Sequence, residues 1–212
     1  MPVMTIRWPG AVRQHLAALR ALLALTVLTG VVYPLVVMEI GQMLFPDQAN
    51  GSLVRSGGQV VGSRLLGQAF TNGQGDPLPQ WFQPRPSAAT DPSVKNDPGY
   101  NPLFSGASNL GPSNPALIKT IQARRAAVAA FDGVPAASVP PDAVTASGSG
   151  LDPDISPAYA FEQVNRVARA RGLDPAAVRA LVAAYVQGRP LGILGEPRVN
   201  VVELNIALAG LH

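Results

Sequence analysis

The stretch that most constrains this chain is "ALLALTVLTGVVYPLVVM", Ala21 to Met38, 18 residues without a charge. At 1.5 Å rise per residue a helix here spans roughly 27 Å, close to the ~30 Å hydrocarbon core of a bilayer. Leu16 to Leu19 and Ile40 to Phe45 can lengthen it. A cleaved signal peptide would also set a basic leader before an apolar run. This run exceeds the ~7–15-residue core of such a peptide, and no A-x-A site follows it within reach. The chain has no cysteine, so a lipid-bearing cysteine is excluded as well. The expectation is an uncleaved single-pass helix over residues 21–45.

Orientation follows from the flanking charges. Arg7, Arg13 and Arg20 precede the helix, whereas Glu39 and Asp47 follow it. The positive-inside rule keeps the leader, residues 1–20, in the cytoplasm and places residues 46–212 outside the cell (inner) membrane. The other 13 basic residues balance the 13 acidic ones. A neutral body behind a basic leader lacks the basic patch of a nucleic-acid reader, so membrane lipid is expected as a partner and nucleic acid is not. Within the helix, Thr26 and Gly30 stand four apart, a small-xxx-small spacing that lets another helix approach. Pro34 lies one turn further and is expected to kink it.

The outer part reads as α+β, one domain with a small β-hairpin or sheet and several helices. Ser52 to Arg55 and Gln59 to Val61 flank a glycine pair and read as a hairpin. Residues 71–114 are rich in Gly, Pro, Asn, Asp and Ser, a loop of a length that is uncommon in a compact domain and is usually either disordered or functional. Trp81, Phe82 and Arg85 in "QWFQPRPSA" imply that the loop packs on its own domain or on a partner. Asn114 and Pro115 open a helix with Leu117, Ile118, Ile121 and Val128 as its apolar stripe, and Lys119, Arg124 and Arg125 largely off it, most simply a solvated face. Ala143 to Ala146 form a candidate short strand. Ser156 and Pro157 open a helix whose Phe161, Val164, Val167 and Ala168 face inward, up to Gly172. Asp174 and Pro175 open the next, with Val178, Leu181, Val182 and Tyr185 inward, up to Gly188. The C-terminal "GEPRVNVVELNIALAGL" fits helix or strand. Helix is favoured, with Pro197 opening it and Gly210 ending it.

Catalytic chemistry has little to work with. The two histidines, His15 and His212, sit at opposite ends of the chain. In "TASGSGLDPDISPAYA", Gly148-Ser149-Gly150 lacks the G-x-S-x-G spacing, and neither Lys95 nor Lys119 completes an S-x-x-K. No catalytic residue is therefore assigned. No cysteine or histidine cluster offers a metal site, although Asp152 and Asp154 could hold a cation weakly or simply shape a turn. Ser147, Gly148, Ser149 and Gly150 form a glycine-rich turn before a helix, a weak candidate for nucleotide phosphate. A phosphate-binding loop with lysine is absent, and Asp152 and Asp154 would repel phosphate. Arg166, Arg169 and Arg171 sit in a helix pair, yet nearby acids offset them and the topology puts them away from DNA.

Several stretches together carry a family resemblance. They are "YPL" (Tyr33 to Leu35), "ANGSLV" (Ala49 to Val54), "GSRLLGQAF" (Gly62 to Phe70), "RPSA" (Arg85 to Ala88) and "SNLGPSNP" (Ser108 to Pro115). The series continues in "DAVTASGSGLDPDISPAYA" (Asp142 to Ala160), "RVARARGL" (Arg166 to Leu173) and "GEPRVNVVELNIAL" (Gly195 to Leu208). In this order they resemble the KdpC family, the small single-pass component of the Kdp potassium-transporting P-type ATPase. Asp154 stands where many relatives carry histidine, and the family's aromatic cluster before "RPSA" is reduced to Trp81 and Phe82. The resemblance implies a non-catalytic subunit that assembles with a potassium-channel-like subunit, a P-type ATPase subunit and a small stabilising subunit. It implies a stabiliser of the assembly and a catalytic chaperone that raises the ATP affinity of the pump subunit. No firmly bound cofactor is implied. ATP enters through the complex, and potassium is the transported ion. The competing reading from the residues alone is a stand-alone membrane-anchored exported binding protein or serine hydrolase.

Overall fold

The computed structural model describes residues 9–211, so Arg7 and His212 lie outside the described residues. The chain divides into two compact units, with the boundary between Ser52 and Leu53.

The first unit is a helix that runs without interruption from Gly10 to Leu44, 35 residues, long and apolar enough to cross a membrane. At 1.5 Å per residue it measures roughly 52 Å, so the charged ends extend well past a ~30 Å apolar layer. It consists of α1 (Gly10–Val27), a π-helical turn (Leu28–Val32) and α2 (Tyr33–Leu44). Pro34 explains the π turn. Proline has no N–H and its ring crowds the carbonyl four residues back, which is that of Gly30. The ladder widens, and Tyr33 N–H donates to Leu28 O, five residues back. The disturbance that Pro34 causes is thus a widened turn beside Gly30. A short helix α3 (Pro46–Ala49) follows, and Asn50 Nδ2 ties it back to Pro46 O and to Gln42 Oε1.

The second unit opens with the antiparallel hairpin β1 (Leu53–Ser56) and β2 (Gln59–Ser63). Gly57 and Gly58 both have positive φ, 57° and 81°, as a two-residue hairpin turn of the primed type requires. A three-stranded antiparallel sheet has the order β3 (Asp154–Ile155), β5 (Arg198–Asn200), β4 (Val186–Gln187). Helices α4 (Pro115–Asp132), α5 (Pro157–Glu162), α6 (Val164–Arg171), α7 (Pro175–Tyr185) and α8 (Val201–Ala209) complete it. Val164 and Val167 from α6, Val178 and Val182 from α7, and Leu204 and Leu208 from α8 form the centre of the core, all fully buried.

The expected caps form. Asn114, Ser156 and Asp174 each accept an N–H of the first turn, with proline at the first helical position. Several expectations are corrected. Pro197 does not open a helix: Arg198 to Asn200 pair as the central strand, and Asn200 caps α8 by accepting Glu203 N–H. The single helix expected from Ser156 to Gly172 is two, broken at Gln163, whose side chain is drawn to Gln83. α7 stops at Tyr185, because Val186 and Gln187 pair with β5. Residues 143–146 are no strand. Pro140 and Pro141 start a 3₁₀ turn instead, Pro141–Ala143. On α4, Ile118 is exposed and only Ile121 and Val128 of the stripe reach the core. Arg124 is half-buried and so does not belong to a solvated face.

Candidate functional site

The loop of residues 71–114 is held down by side chains acting as backbone partners. Phe82 is fully buried, and its N–H and C=O are bracketed by Asn205 Oδ1 and Nδ2, each at 2.9 Å. Gln163, also fully buried, does the same for Gln83: Oε1 accepts the N–H at 2.6 Å and Nε2 donates to the C=O at 3.1 Å. Arg166 completes the clamp. It pairs with Asp132, donates Nη1 to Pro79 O and Trp81 O, and donates Nη2 to Gln163 Oε1. Its guanidinium also lies 4.4 Å from the centre of the Phe131 ring. Trp81 packs beside Phe70, with Arg171 over its face. Trp81, Phe82 and Arg85 thus pack against their own domain. Arg166 and Arg171 are spent inside the fold, which removes them from any anion-reading face.

Beyond the clamp, the loop folds onto the glycine–serine turn. Arg85 Nη1 meets Asp152 Oδ2 at 2.9 Å, and Arg85 O accepts Tyr100 Oη–H at 2.8 Å. Ser87 Oγ donates to Gly150 O at 2.6 Å while accepting the N–H groups of Ala89 and Tyr100. Gly106 N–H and Ser105 Oγ both donate to Ser149 O. Gly67 N–H donates to Leu151 O from the other side. Four stretches far apart in sequence, around Gly67, Arg85, Tyr100 and Ser149, therefore meet in one cluster.

The turn itself is shaped by its hydroxyls and by one glycine. Ser147 Oγ accepts Gly150 N–H at 2.9 Å, and Ser149 Oγ accepts Leu151 N–H at 3.1 Å. Both are local turn-closing bonds rather than parts of a nucleophile–base pair. Gly150 has φ +69°, and a Cβ there would lie 2.7 Å from Ala89 N and 2.9 Å from Gly106 O. Gly148 is exposed with open space around it, so the indispensable glycine of the turn is Gly150. The N–H groups of Gly148 and Ser149 take no hydrogen bond among the described residues. They border a cavity of about 530 Å³ lined by Leu65, Leu66, Arg85 and Asp152. The one cation there is already matched by Asp152, so an incoming phosphate competes with a carboxylate for Arg85.

Electrostatics in this region follow burial. The Tyr100 hydroxyl is pushed up by burial and further by Asp152. Asp152 and Asp154 do not act as a cation-holding pair: Asp152 faces Arg85 and Asp154 faces Arg198 at 3.0 Å. Burial raises the Asp154 carboxyl even though Arg198 opposes the shift. Glu162 is pushed up to about 7, by burial first and then by the charges of Asp132 and Asp142. Its Oε1 is buried without a hydrogen-bond partner. Among the described residues no group of three or more His, Cys, Asp and Glu could hold a metal ion.

On the long N-terminal helix, Thr26 and Gly30 are both exposed, and a Cβ on Gly30 would meet nothing within 4 Å. Thr29 Oγ1 donates to Leu25 O beside them, satisfying its hydroxyl within the helix.

The family model described as "KdpC: K+-transporting ATPase, c chain" matches residues 15–210. The chain belongs to the KdpC family. It is 53% identical over 205 residues to a "Potassium-transporting ATPase KdpC subunit" of Kineococcus radiotolerans, covering 97% of each chain. The protein of that name from Sorangium cellulosum is 56% identical over 193 residues, 91% of this chain and 95% of the relative. That from Streptomyces coelicolor is 49% identical over 212 residues, 95% and 94% of the two chains. Three of the stretches that carry the family likeness, those holding Gly67, Arg85 and Gly150, meet in the cluster around Ser149. Sequence reasoning missed Gln163, Asn205, Asp132 and Tyr100. The signal that could have found Gln163 and Asn205 was a polar residue at an inward position of an apolar helical repeat, as at Gln163 between Ala160 and Val164; Asp132 and Tyr100 carry no such signal.

Proposed function

We propose that this chain is the accessory, non-catalytic subunit of an ATP-driven potassium uptake complex, anchored by one membrane helix with its N-terminus in the cytoplasm and its domain outside. The observation that carries this reading is the family match over residues 15–210, with relatives named as subunits of a potassium-transporting ATPase. In the complex it touches a channel-like subunit, a P-type ATPase subunit and a small stabilising subunit. The side of α1 and α2 that bears Thr26, Gly30 and the widened turn supports close approach of a neighbouring helix. The outer domain stabilises the assembly and covers the potassium entrance. It raises the ATP affinity of the pump subunit by biasing the equilibrium of the whole complex. Weak direct contact of nucleotide with Ser147 to Gly150 is the second reading, favoured by the free N–H groups of Gly148 and Ser149.

Co-purification in mild detergent from potassium-starved cells tests the assembly. A tagged chain that comes out alone refutes it. Digestion of intact spheroplasts tests the topology: an outer domain that resists external protease but is cut in lysed cells overturns it. The KM for ATP of the complex, with and without this chain, tests the chaperone role. Gly148→Pro, which removes one of the two free N–H groups, separates the direct nucleotide contact from the indirect effect.

A further inference from the structure

A second cavity, of about 410 Å³, lies between the proline-rich start of the loop and one side of α4. Its volume is in the range of pockets that take small organic ligands. The walls are largely apolar: Pro84 and Pro86 from the loop, Val128 and Phe131 from α4, and the ring of Tyr159. Prolines fix φ in the wall segments, so the cavity is formed without a ligand.

One polar group in it is short of a partner. Arg124 is half-buried, and its guanidinium makes a single bond, 3.3 Å long, to Val144 O. No described carboxylate lies within ion-pairing distance of it, whereas Arg85 on the same wall is matched by Asp152. Burial without a compensating charge pulls the Arg124 guanidinium down from its usual range. Burial and then the charge of Asp132 push the Tyr159 hydroxyl up, with Glu162 and Asp142 adding to it, so an anion is favoured at the Arg124 end of the cavity. A cation held partly away from water gains from a counter-charge. One ligand that carries an anionic oxygen and an apolar body supplies that charge and covers the apolar walls.

We infer that this cavity binds a small amphiphilic organic anion, its carboxylate or phosphate ester held by Arg124 and its apolar part against Pro84, Pro86, Val128 and Phe131. One uncompensated charge matches one anionic group, so a nucleoside triphosphate fits poorly.

Fluorine NMR on the full chain in nonionic micelles tests this, with micelles alone as the blank. The probes are p-(trifluoromethyl)benzoate, p-(trifluoromethyl)phenyl phosphate and the neutral p-(trifluoromethyl)benzyl alcohol. Saturable binding of the benzoate, the phosphate ester or both is expected, with the better of the two identifying the headgroup. The alcohol binds at least about tenfold more weakly, because the charge-assisted bond is lost. Arg124→Gln weakens the anions by about tenfold or more and Arg124→Lys by less. No saturable binding, equal binding of acid and alcohol, or an unchanged dissociation constant in Arg124→Gln overturns the assignment. Thermal denaturation of each variant checks that it remains folded.

Discussion

Replacing Gln163 by leucine tests whether the buried amides, rather than the apolar contacts, hold the long loop. Leucine has a similar size, so no sizeable cavity opens and packing is largely kept. What disappears is a set of bonds: Gln83 N–H to Oε1, Nε2 to Gln83 O, and Arg166 Nη2 to Oε1. Gln83 is only 8% exposed, so water cannot replace them without local opening. Each buried polar group left unbonded costs about 1–3 kcal/mol, more when a charge is involved. Three such groups give a loss of about 4–6 kcal/mol, a large part of the ~5–15 kcal/mol that stabilises an ordinary domain. For a domain of this size the unfolding midpoint then falls by about 10–20 °C. Gln163→Glu keeps the acceptor for Gln83 N–H and pairs with Arg166, losing only the donor to Gln83 O. It costs about 1–2 kcal/mol. Thermal unfolding of the full chain by near-ultraviolet circular dichroism reads the stability, and hydrogen exchange of peptides spanning residues 80–88 reads the loop. A leucine variant within about 1 kcal/mol of the parent, with no faster exchange at Gln83, would refute the argument.

Further predictions rest on the same geometry. Gly150→Ala places a Cβ against Ala89 N and Gly106 O at positive φ, and should destabilise by about 2–4 kcal/mol, whereas Gly148→Ala stays within about 1 kcal/mol; parallel melting curves decide between them. Glu162 has a folded-state pKa of about 7, above its value in an unfolded chain. The fold therefore holds a proton the unfolded chain releases, and stability falls as pH rises from about 4.5 through 7. Glu162→Gln should flatten that slope in urea midpoints taken across the window, and an unchanged slope would assign it to another group. A double-mutant cycle on Arg85 and Asp152, both about one-quarter exposed, should return a coupling of about 1 kcal/mol, since solvent screens part of the pair.

Elements with a local cause were legible in the sequence. The long N-terminal helix is written in an uninterrupted apolar run, three helices of the second unit in their Asx or Ser caps followed by proline, and the hairpin in Gly57 and Gly58. Elements decided by tertiary pairing were not. Arg198 to Asn200 become a strand because both Asp154–Ile155 and Val186–Gln187 pair with them, and no local pattern announces two partners from distant segments. The break at Gln163 comes from a residue 80 positions away, Gln83, and the burial of Arg166 comes from Asp132 and the carbonyls of the loop. The glycine–serine turn was visible as a turn, yet which glycine it depends on follows only from Ala89 and Gly106 standing against Gly150.

In the proposed role, the use of these polar side chains also limits how the second unit could act on a pump subunit. Arg85, Ser87, Tyr100, Gln163, Arg166 and Asn205 are committed to the domain's own backbone or to internal partners. A loop fixed at so many points behaves as part of a rigid body, so the domain works chiefly by presenting a surface rather than by refolding it. A rigid surface shifts a partner's equilibrium only through contacts that differ between the partner's states. A tenfold gain in ATP affinity requires about 1.4 kcal/mol of such difference, which is one or two good contacts and no more. Linkage then works in both directions: ATP must tighten the attachment of this chain to the complex by the same factor of about ten. Dissociation of the labelled subunit from the complex, measured with and without a non-hydrolysable ATP analogue, reads that factor directly. If ATP leaves the attachment unchanged while the subunit still lowers the KM for ATP, the effect is on a kinetic step and not on binding.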